Sequence, residues 1–370
     1  MRYYIPFLIT FLVFSCIRHV EEETSVIPYE YEKLEIINAK GFELIYRQDY
    51  ITILTKSLEE NAFFRDSLVI VLNPDFQFEN EVKLYPGGAE NIAVQSSTHL
   101  AYVQQLDVLN TVKGVCGLKY VVNDDVNSVF QESDVKEICN SDQMSRETLL
   151  SLNPDLIFTY PFGSAGVETY EEIGLKSLMI AEYLEEDVIA RLEWIKLFGL
   201  LFKKEKEANQ YFVDVKTNYE SLIVENAELA EAPSYIMNLP YEDNWYMPAP
   251  QSLIVKLFTD AGLEYFYTDF EGTENILLPQ EQVWLDGSKS DLWIIIAGRD
   301  VGFNKEKLLL ENPVYSEFKS FKNDNIFFCN TATKDYFGQG ILEPDIMLKD
   351  ILYLNGDIDN HIPVYFERLK

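Results

Sequence analysis

Residues 187–229 constrain the fold of this 370-residue chain more than any other segment. The segment contains no proline and a single glycine, Gly199. Apolar residues recur at gaps of three, four and occasionally six, which keeps one helical face apolar. These residues are Val188, Leu192, Ile195, Phe198, Phe202, Ala208, Phe212, Val215, Tyr219 and Leu222. A continuous helix would be about 60 Å long at ~1.5 Å per residue, so we expect it to join two domains.

Strands and helices alternate on both sides of this segment. Before it, we predict strands at 92–94, 112–118 and 155–158, with helices at 99–109 and 145–152. After it, we predict strands at 235–239, 292–297 and 326–329, with helices at 252–261 and 344–354. Strands separated by helices favour parallel sheets. The predicted fold class is therefore α/β with two lobes, and residues 36–85 read as additional short strands before the first lobe.

The first residues are typical of an export signal. Arg2 is followed by an apolar run to Phe14, and Ser15-Cys16 ends it before a polar, acidic stretch. The run is too short to span a bilayer, which needs roughly 20 apolar residues. Residues 13–16 resemble a bacterial lipobox, in which the cysteine is lipidated and holds the protein at a membrane. The alternative is an ordinary signal followed by an incidental cysteine.

The charge of the chain argues against nucleic acid as a partner. The formal net charge is −31, with acidic and basic residues mixed along the sequence, and such a surface repels phosphate backbones.

Beyond Cys16 three cysteines remain, and Cys116 and Cys139 are the only two close in sequence. An oxidising compartment permits a disulfide between them, but buried free cysteines fit the sequence equally well.

Several features in order resemble the class III periplasmic binding proteins, which serve importers of cobalamin, ferric siderophores and haem. The resemblance covers roughly residues 86–356. It rests on residues 96–99, the Glu147 helix with residues 153–156, the helix around 192–195, residues 260–262, the Glu281 helix, residues 335–337 and residues 343–345. It implies two Rossmann-like lobes with parallel sheets, joined by a single long α-helix, with a ligand cleft between the lobes. It also implies a binding protein, not an enzyme, with no permanently bound cofactor.

The expected domains follow from the pattern and the resemblance together. They are a signal peptide at 1–15, a lipid anchor and tether at 16–35, a first lobe at 36–181, a linking helix at 182–230 and a second lobe at 231–370. We expect a monomer on the periplasmic side of a bacterial membrane. Its expected partners are a metal chelate, the membrane through its lipid anchor, and an ABC permease with ATPase subunits.

The two halves share a sequence pattern. In each half, a glutamate near the start of a predicted helix is followed by an aspartate at the start of a buried strand. In the family, one exposed glutamate on each lobe pairs with arginines of the permease, and Glu147 and Glu281 occupy the matching positions. Paired charges across such a surface steer encounter and fix register. A glutamate in a first turn also stabilises its own helix through the helix dipole.

The resemblance places the ligand on loops at the carboxyl ends of the strands, as is general for open α/β sheets. The candidate ligand-binding residues on these loops are His99, Tyr120, Trp245, Tyr246, Arg299, Asp335, Tyr336 and Phe337. Aromatic side chains provide stacking faces for a large ligand, so a ferric siderophore, a corrinoid or haem is expected. Many relatives carry an arginine where Glu343 stands, which disfavours an anionic siderophore unless Arg299 and Lys334 compensate.

Three other functions fit the sequence less well. An exported hydrolase would need a nucleophile elbow or a carboxylate pair, but Phe162 replaces the first glycine of the nearest elbow at 162–166. A binder of bare metal ions would need several histidines in the cleft, and the chain has three histidines in all, of which only His99 is suitably placed. A lipoprotein that captures ligand without a permease remains a third alternative.

Overall fold

The fold is described from a computed structural model of the chain. The description covers residues 31–58, 65–78, 83–140, 143–161, 170–226 and 232–370. The predicted signal peptide, Cys16 and the loop at 162–166 lie outside these residues.

A four-stranded sheet precedes the first lobe, as predicted. Its strands, β1 (Phe42–Tyr46), β2 (Tyr50–Lys56), β3 (Arg65–Val71) and β4 (Leu84–Tyr85), pair in the order β1-β2-β3-β4. The first three strands are antiparallel, and Ile51 and Ile53 of β2 are fully buried at the two-residue spacing that a half-buried strand requires. The tether, predicted to reach residue 35, ends earlier. Leu34 is buried and its N–H donates to the Tyr46 hydroxyl, so residues 31–35 belong to the fold.

Two buried glutamates attach this N-terminal segment to the rest of the protein. The Glu193 carboxylate accepts the backbone N–H groups of residues 37, 38 and 39, and it also pairs with the Lys196 ammonium at 2.9 Å. The Glu185 carboxylate accepts the N–H groups of residues 40 and 41 and the indole N–H of Trp194. Because these carboxylates satisfy five consecutive N–H groups, the N-terminal sheet is an integral part of the first lobe.

The first lobe is built on a five-stranded parallel sheet. Its elements are β5 (Ile92–Val94), α1 (His99–Gln105), β6 (Val112–Val115), α2 (Asp124–Glu132), β7 (Lys136–Glu137), β8 (Cys139–Asn140), β9 (Gln143–Met144), α3 (Arg146–Leu152), β10 (Leu156–Thr159) and β11 (Ser177–Met179). The sheet order is β11-β10-β5-β6-β7, with every pair parallel. The carboxyl ends of its strands therefore meet at one edge, which carries the loops at 95–98 and 116–123.

The connection between the lobes contains three helices, so the prediction of one continuous helix over 187–229 is wrong. They are α4 (Val188–Glu193), α5 (Ile195–Phe202) and α6 (Glu205–Glu225). The chain turns after α5 because Lys203 adopts a left-handed conformation with φ of 58° and donates its N–H to the Gly199 carbonyl. Helices α5 and α6 then pack closely at Gly199, where a Cβ would lie 2.5 Å from that of Ala208. The long helix that leads toward the second lobe is α6, with 21 residues.

The second lobe repeats the parallel architecture, which confirms the two-lobed α/β prediction. Its elements are β12 (Ser234–Met237), β13 (Asn244–Met247), α7 (Leu253–Asp260), β14 (Glu264–Tyr265), β15 (Ile276–Pro279), α8 (Gln280–Gly287), β16 (Leu292–Ala297), α9 (Lys305–Glu311), α10 (Lys319–Lys322), β17 (Ile326–Asn330), α11 (Pro344–Asn355) and β18 (Glu367–Arg368). The sheet order is β14-β12-β16-β17-β18, with only β18 antiparallel.

A buried aspartate fixes the C-terminal segment that supplies β18. The Asp350 carboxylate accepts the N–H groups of Val364, Tyr365 and Phe366, and it contacts the imidazole Nε2 of His361 at 2.6 Å. Four polar contacts therefore compensate the burial of this carboxylate.

Candidate functional site

A cleft lies where the strand ends of the two lobes face each other. Its lining comes from both lobes: Ser97, Leu100, Ala101, Gln104, Tyr120, Val121, Val122, Asn123 and Val126 from the first, and Thr331, Lys334, Asp335, Phe337 and Gly338 from the second. Topology brings these residues together, because the loops after β5, β6 and β17 all leave the carboxyl ends of parallel strands.

Side-chain hydrogen bonds join the two walls directly. The Asn123 amide donates to Asp335 Oδ2 at 3.1 Å, and the Gln339 amide donates to Gln105 Oε1 at 3.0 Å. The cavity left between the walls has a volume of about 30 Å³, far below the roughly 300–1,000 Å³ of a typical small-molecule pocket. The cleft is therefore nearly closed along its described walls.

One exposed aromatic ring from each lobe borders the cleft. Tyr120 is 67% exposed and Phe337 is 55% exposed, and both belong to the lining. Two large rings that remain solvent-accessible beside a cleft provide apolar surface for a ligand to cover. Tyr336 lies behind Phe337, with its ring centroid 4.9 Å from that of Phe337, and burial raises the pKa of its hydroxyl. Tyr336 therefore supports Phe337 and is not itself part of the lining.

The position of the Asp335 carboxylate is fixed at the cleft. Its Oδ2 accepts the Gln339 N–H at 3.1 Å in addition to the Asn123 amide. A side chain at residue 338 would place a Cβ only 2.0 Å from Asp335 Oδ1, so only glycine leaves room for this arrangement. Of the predicted ligand-binding residues, Tyr120, Asp335 and Phe337 thus line the described cleft.

The prediction that His99 faces the cleft is wrong. Its side chain is fully buried in the first turn of α1, and its Nε2 lies 3.6 Å from an oxygen of the fully buried Glu182. Glu182 also accepts the Thr98 hydroxyl at 2.8 Å and pairs with Arg191 at 3.3 Å. Burial by itself would raise the pKa of Glu182, but its interactions with His99, Arg191 and the Thr98 hydroxyl outweigh burial and lower the pKa to about 2. His99 is therefore part of a buried polar cluster directly behind the 95–98 loop.

The prediction that Trp245 is exposed for ligand binding is also wrong. Its side chain is fully buried, and its indole N–H donates to the Met237 carbonyl at 2.7 Å. The ring packs in an aromatic cluster with Trp293 and Tyr315. Trp245 is on β13, where side chains alternate between faces, so its neighbour Tyr246 is the one that faces outward.

Tyr246 and Arg299 lie outside the lining of the described cleft. Tyr246 is opposite Leu277 in the β13–β15 pair, and its ring centroid is 6.5 Å from that of Tyr241. The Arg299 guanidinium forms an ion pair with Glu311 at 3.2 Å and lies over the Phe303 ring. Arg299 is thus already engaged within its own lobe.

A disulfide and a carboxylate support the loop that carries Tyr120. Cys116 and Cys139 form a disulfide, which resolves the two alternatives that the sequence left open. The Glu137 carboxylate accepts the N–H groups of Gly117, Leu118 and Cys139. The start of the 116–123 loop is therefore fixed both by the disulfide and by the hydrogen bonds to Glu137.

Other observations bear on metal binding and membrane insertion. Over the described ranges, the one group of three or more metal-ligating side chains is Cys116, Glu137 and Cys139, and its two sulfur atoms form the disulfide. No helix in the described part of the chain is long and apolar enough to cross a membrane.

A larger concavity of about 1030 Å³ lies on the N-terminal sheet, away from the cleft, and is lined mainly by charged and half-buried residues between 33 and 66.

Glu147 and Glu281 are both exposed, and each lies in the first turn of its helix, α3 and α8 respectively. Each is therefore available to a partner, and each also meets the requirement for stabilising its own helix.

Residues 95–333 match the family described as periplasmic binding protein. The chain belongs to this family, and its two-lobed fold is of the class III type. Members of the family bind solutes and are not enzymes, which confirms that prediction for this binding protein.

Individual relatives agree with this assignment. Lipoprotein MJ0878 of Methanocaldococcus jannaschii is 28% identical over 273 residues, which are 70% of this chain and 63% of that relative. This binding protein thus spans less than two thirds of that relative's length. A periplasmic binding protein from Veillonella parvula has a TM-score of 0.62 at 11% identity, over 84% of this chain and 99% of that one. A periplasmic haem-binding protein from Pseudomonas aeruginosa has a TM-score of 0.58 at 11% identity, over 76% and 98% of the two chains.

Proposed function

We propose that this protein is the solute-binding component of an ABC importer and that it captures a metal chelate or metal-bearing cofactor for delivery to the permease. A ferric siderophore, a corrinoid and haem are the ligand types considered. The observation that carries the proposal is the cleft between the lobes, to which each lobe contributes an exposed aromatic ring, Tyr120 from the first and Phe337 from the second.

Capture in this cleft requires the lobes to separate. A cavity of about 30 Å³ cannot hold a chelate, and the two side-chain hydrogen bonds between the walls, from Asn123 and from Gln339, must break first. Each such bond contributes only about 0.5–1.5 kcal/mol net. Ligand contacts with both rings can readily replace them, so the closed arrangement of the lobes can open during binding.

Export and anchoring complete the proposal. The predicted signal peptide and the lipidated Cys16 would keep the protein at the membrane, on the periplasmic side of a bacterial cell envelope, as a monomer. The lipoprotein name of the M. jannaschii relative supports this part of the proposal. Glu147 and Glu281 would then contact arginines of the permease, one from each lobe, and their exposure is consistent with that role.

The test is a calorimetric titration of the full-length chain in detergent with haem, cyanocobalamin and a panel of ferric siderophores. We expect one class to bind, and the Tyr120→Ala and Phe337→Ala variants to bind it about tenfold more weakly, because each loses a ring contact worth about 0.5–1.5 kcal/mol plus its buried area. Tyr353→Ala, which removes a ring on α11 outside the lining, is the matched control and should bind as the wild type does. Absence of binding by every chelate would refute the proposal.

A further inference from the structure

The loops that border the cleft carry more acidic than basic side chains. The described loops at 95–98, 116–123, 238–243, 298–304 and 331–343 follow parallel strands of the two sheets. By sequence they contain three basic residues, Lys119, Arg299 and Lys334, and five acidic residues, Glu242, Asp243, Asp300, Asp335 and Glu343. The formal charge around the cleft is therefore negative, like that of the chain as a whole.

Contacts within the protein occupy two of the three basic side chains. Arg299 is paired with Glu311 at 3.2 Å. The Lys119 ammonium lies over the Tyr120 ring, 4.8 Å from its centroid. Lys334 is the one basic residue in the lining of the described cleft, and the adjacent lining residue is Asp335. The described walls thus contain no pair of converging cations of the kind that would clamp an anionic ligand.

The negative charge of Asp335, by contrast, is fixed in place. The backbone N–H of Gln339 orients its carboxylate from within the same lobe, and Gly338 provides the space for it, so both remain when the inter-lobe bond from Asn123 breaks. Behind it, Glu343 accepts a hydrogen bond from the side-chain amide of Gln339 at 3.3 Å and another from the Tyr365 hydroxyl. A carboxylate held this way cannot rotate away from an incoming anion, and partial burial strengthens the repulsion relative to water.

We propose that the ligand of this cleft is a neutral or positively charged metal complex and that the cleft discriminates against anionic complexes. The inference rests on the proposed function and narrows its ligand class. Asp335 is the residue that sets the preference, because its charge belongs to the lining itself. The aromatic rings of Tyr120 and Phe337 cover the apolar periphery of the complex, and their faces attract cations and not anions.

The test compares ferric complexes that differ in net charge, bound to the full-length chain in detergent at low salt. Ferrioxamine B is cationic, ferrichrome is neutral, and ferric enterobactin is a trianion. We expect ferrioxamine B or ferrichrome to bind at least about tenfold more tightly than ferric enterobactin, which is 1.4 kcal/mol. Asp335→Asn should reduce this ratio about tenfold, whereas Asp214→Asn, an exposed acid on α6 outside the lining and outside these loops, should leave it unchanged.

The salt dependence of the wild-type protein gives a second measurement that needs no variant. Raising the ionic strength shortens the range of the charge interaction, so the ratio should fall as salt is added. Tightest binding of the trianion would overturn the inference and leave the proposed function intact, since a chelate would still bind. A ratio that neither salt nor Asp335→Asn alters would overturn the role of charge. Absence of binding by all three complexes, together with haem and cyanocobalamin, would refute the proposed function itself.

Discussion

Replacing Glu182 by glutamine should destabilise the protein strongly at neutral pH and much less in acid. Glu182 is fully buried, and its oxygens contact Thr98, Arg191 and His99. A pKa of about 2 in place of 4.5 corresponds to roughly 3 kcal/mol of folding free energy. Glutamine has the shape of the protonated acid but cannot ionise, so Glu182→Gln should lose about this amount at pH 7.

The pH dependence follows from the sign of the shift. The pKa is lower in the folded protein, so the unfolded chain takes up the proton first as the pH falls. The stabilisation is therefore complete above about pH 4.5 and is lost as the pH approaches 2. The difference in unfolding free energy between the wild type and Glu182→Gln should fall to about 1 kcal/mol at pH 3.

Urea denaturation of both proteins at pH 7, 4.5 and 3 measures this difference directly. Glu172→Gln is the matched control, because that side chain is exposed and its ion pair with Arg146 is long, at 3.9 Å. This substitution should change the unfolding free energy by less than about 0.5 kcal/mol at all three pH values. A Glu182→Gln penalty that is small at pH 7, or that stays constant down to pH 3, would contradict the assignment of Glu182 as a buried, ionised group.

Three further outcomes are expected. Trp245→Ala should cost about 3–5 kcal/mol of stability, since it empties an aromatic core position, yet ligand affinity measured by calorimetry at a temperature where the variant is folded should change less than threefold. Replacing both Glu147 and Glu281 by arginine should abolish stimulation of the permease ATPase while ligand binding persists. The control is Glu306→Arg, which changes another exposed first-turn acid and should leave the stimulation intact. Loss of ligand binding in the double variant would contradict a docking role. Asp350→Asn should lower the urea midpoint by the equivalent of about 2–4 kcal/mol, because three backbone N–H groups lose a charged acceptor. An unchanged midpoint would show that other contacts hold the C-terminal segment.

The architecture was largely predictable because it depends on periodicity. Strands at 92–94 and 292–297 and the helix that begins at Pro344 form where the alternation of apolar runs places them. The break after α5 was not predictable from composition. The break depends on the left-handed conformation of Lys203 and on the contact between Gly199 and Ala208. The sequence contains no proline and no helix-ending glycine at this point that would predict it.

Site residues were harder to predict because residue type does not determine burial. A tryptophan between polar residues reads as an exposed ring, but strand alternation turns Trp245 inward and Tyr246 outward. His99 follows a polar cap and reads as a cleft residue, but helix α1 directs it toward Glu182. Asn123 and Gln339 were missed altogether, since only the packing of the two lobes shows that these amides connect them.

The disulfide at Cys116 and the three N–H groups bound by Glu137 have a thermodynamic consequence for capture. Freezing a mobile side chain at an interface costs roughly 0.5–1.5 kcal/mol, and ordering a loop adds to this. Here the segment that presents Tyr120 loses its conformational freedom when the protein folds, before any ligand arrives. In the proposed capture of a chelate, only the exposed Tyr120 side chain then remains to be immobilised, and a reductant that opens the disulfide should weaken binding mainly through a less favourable entropy of association.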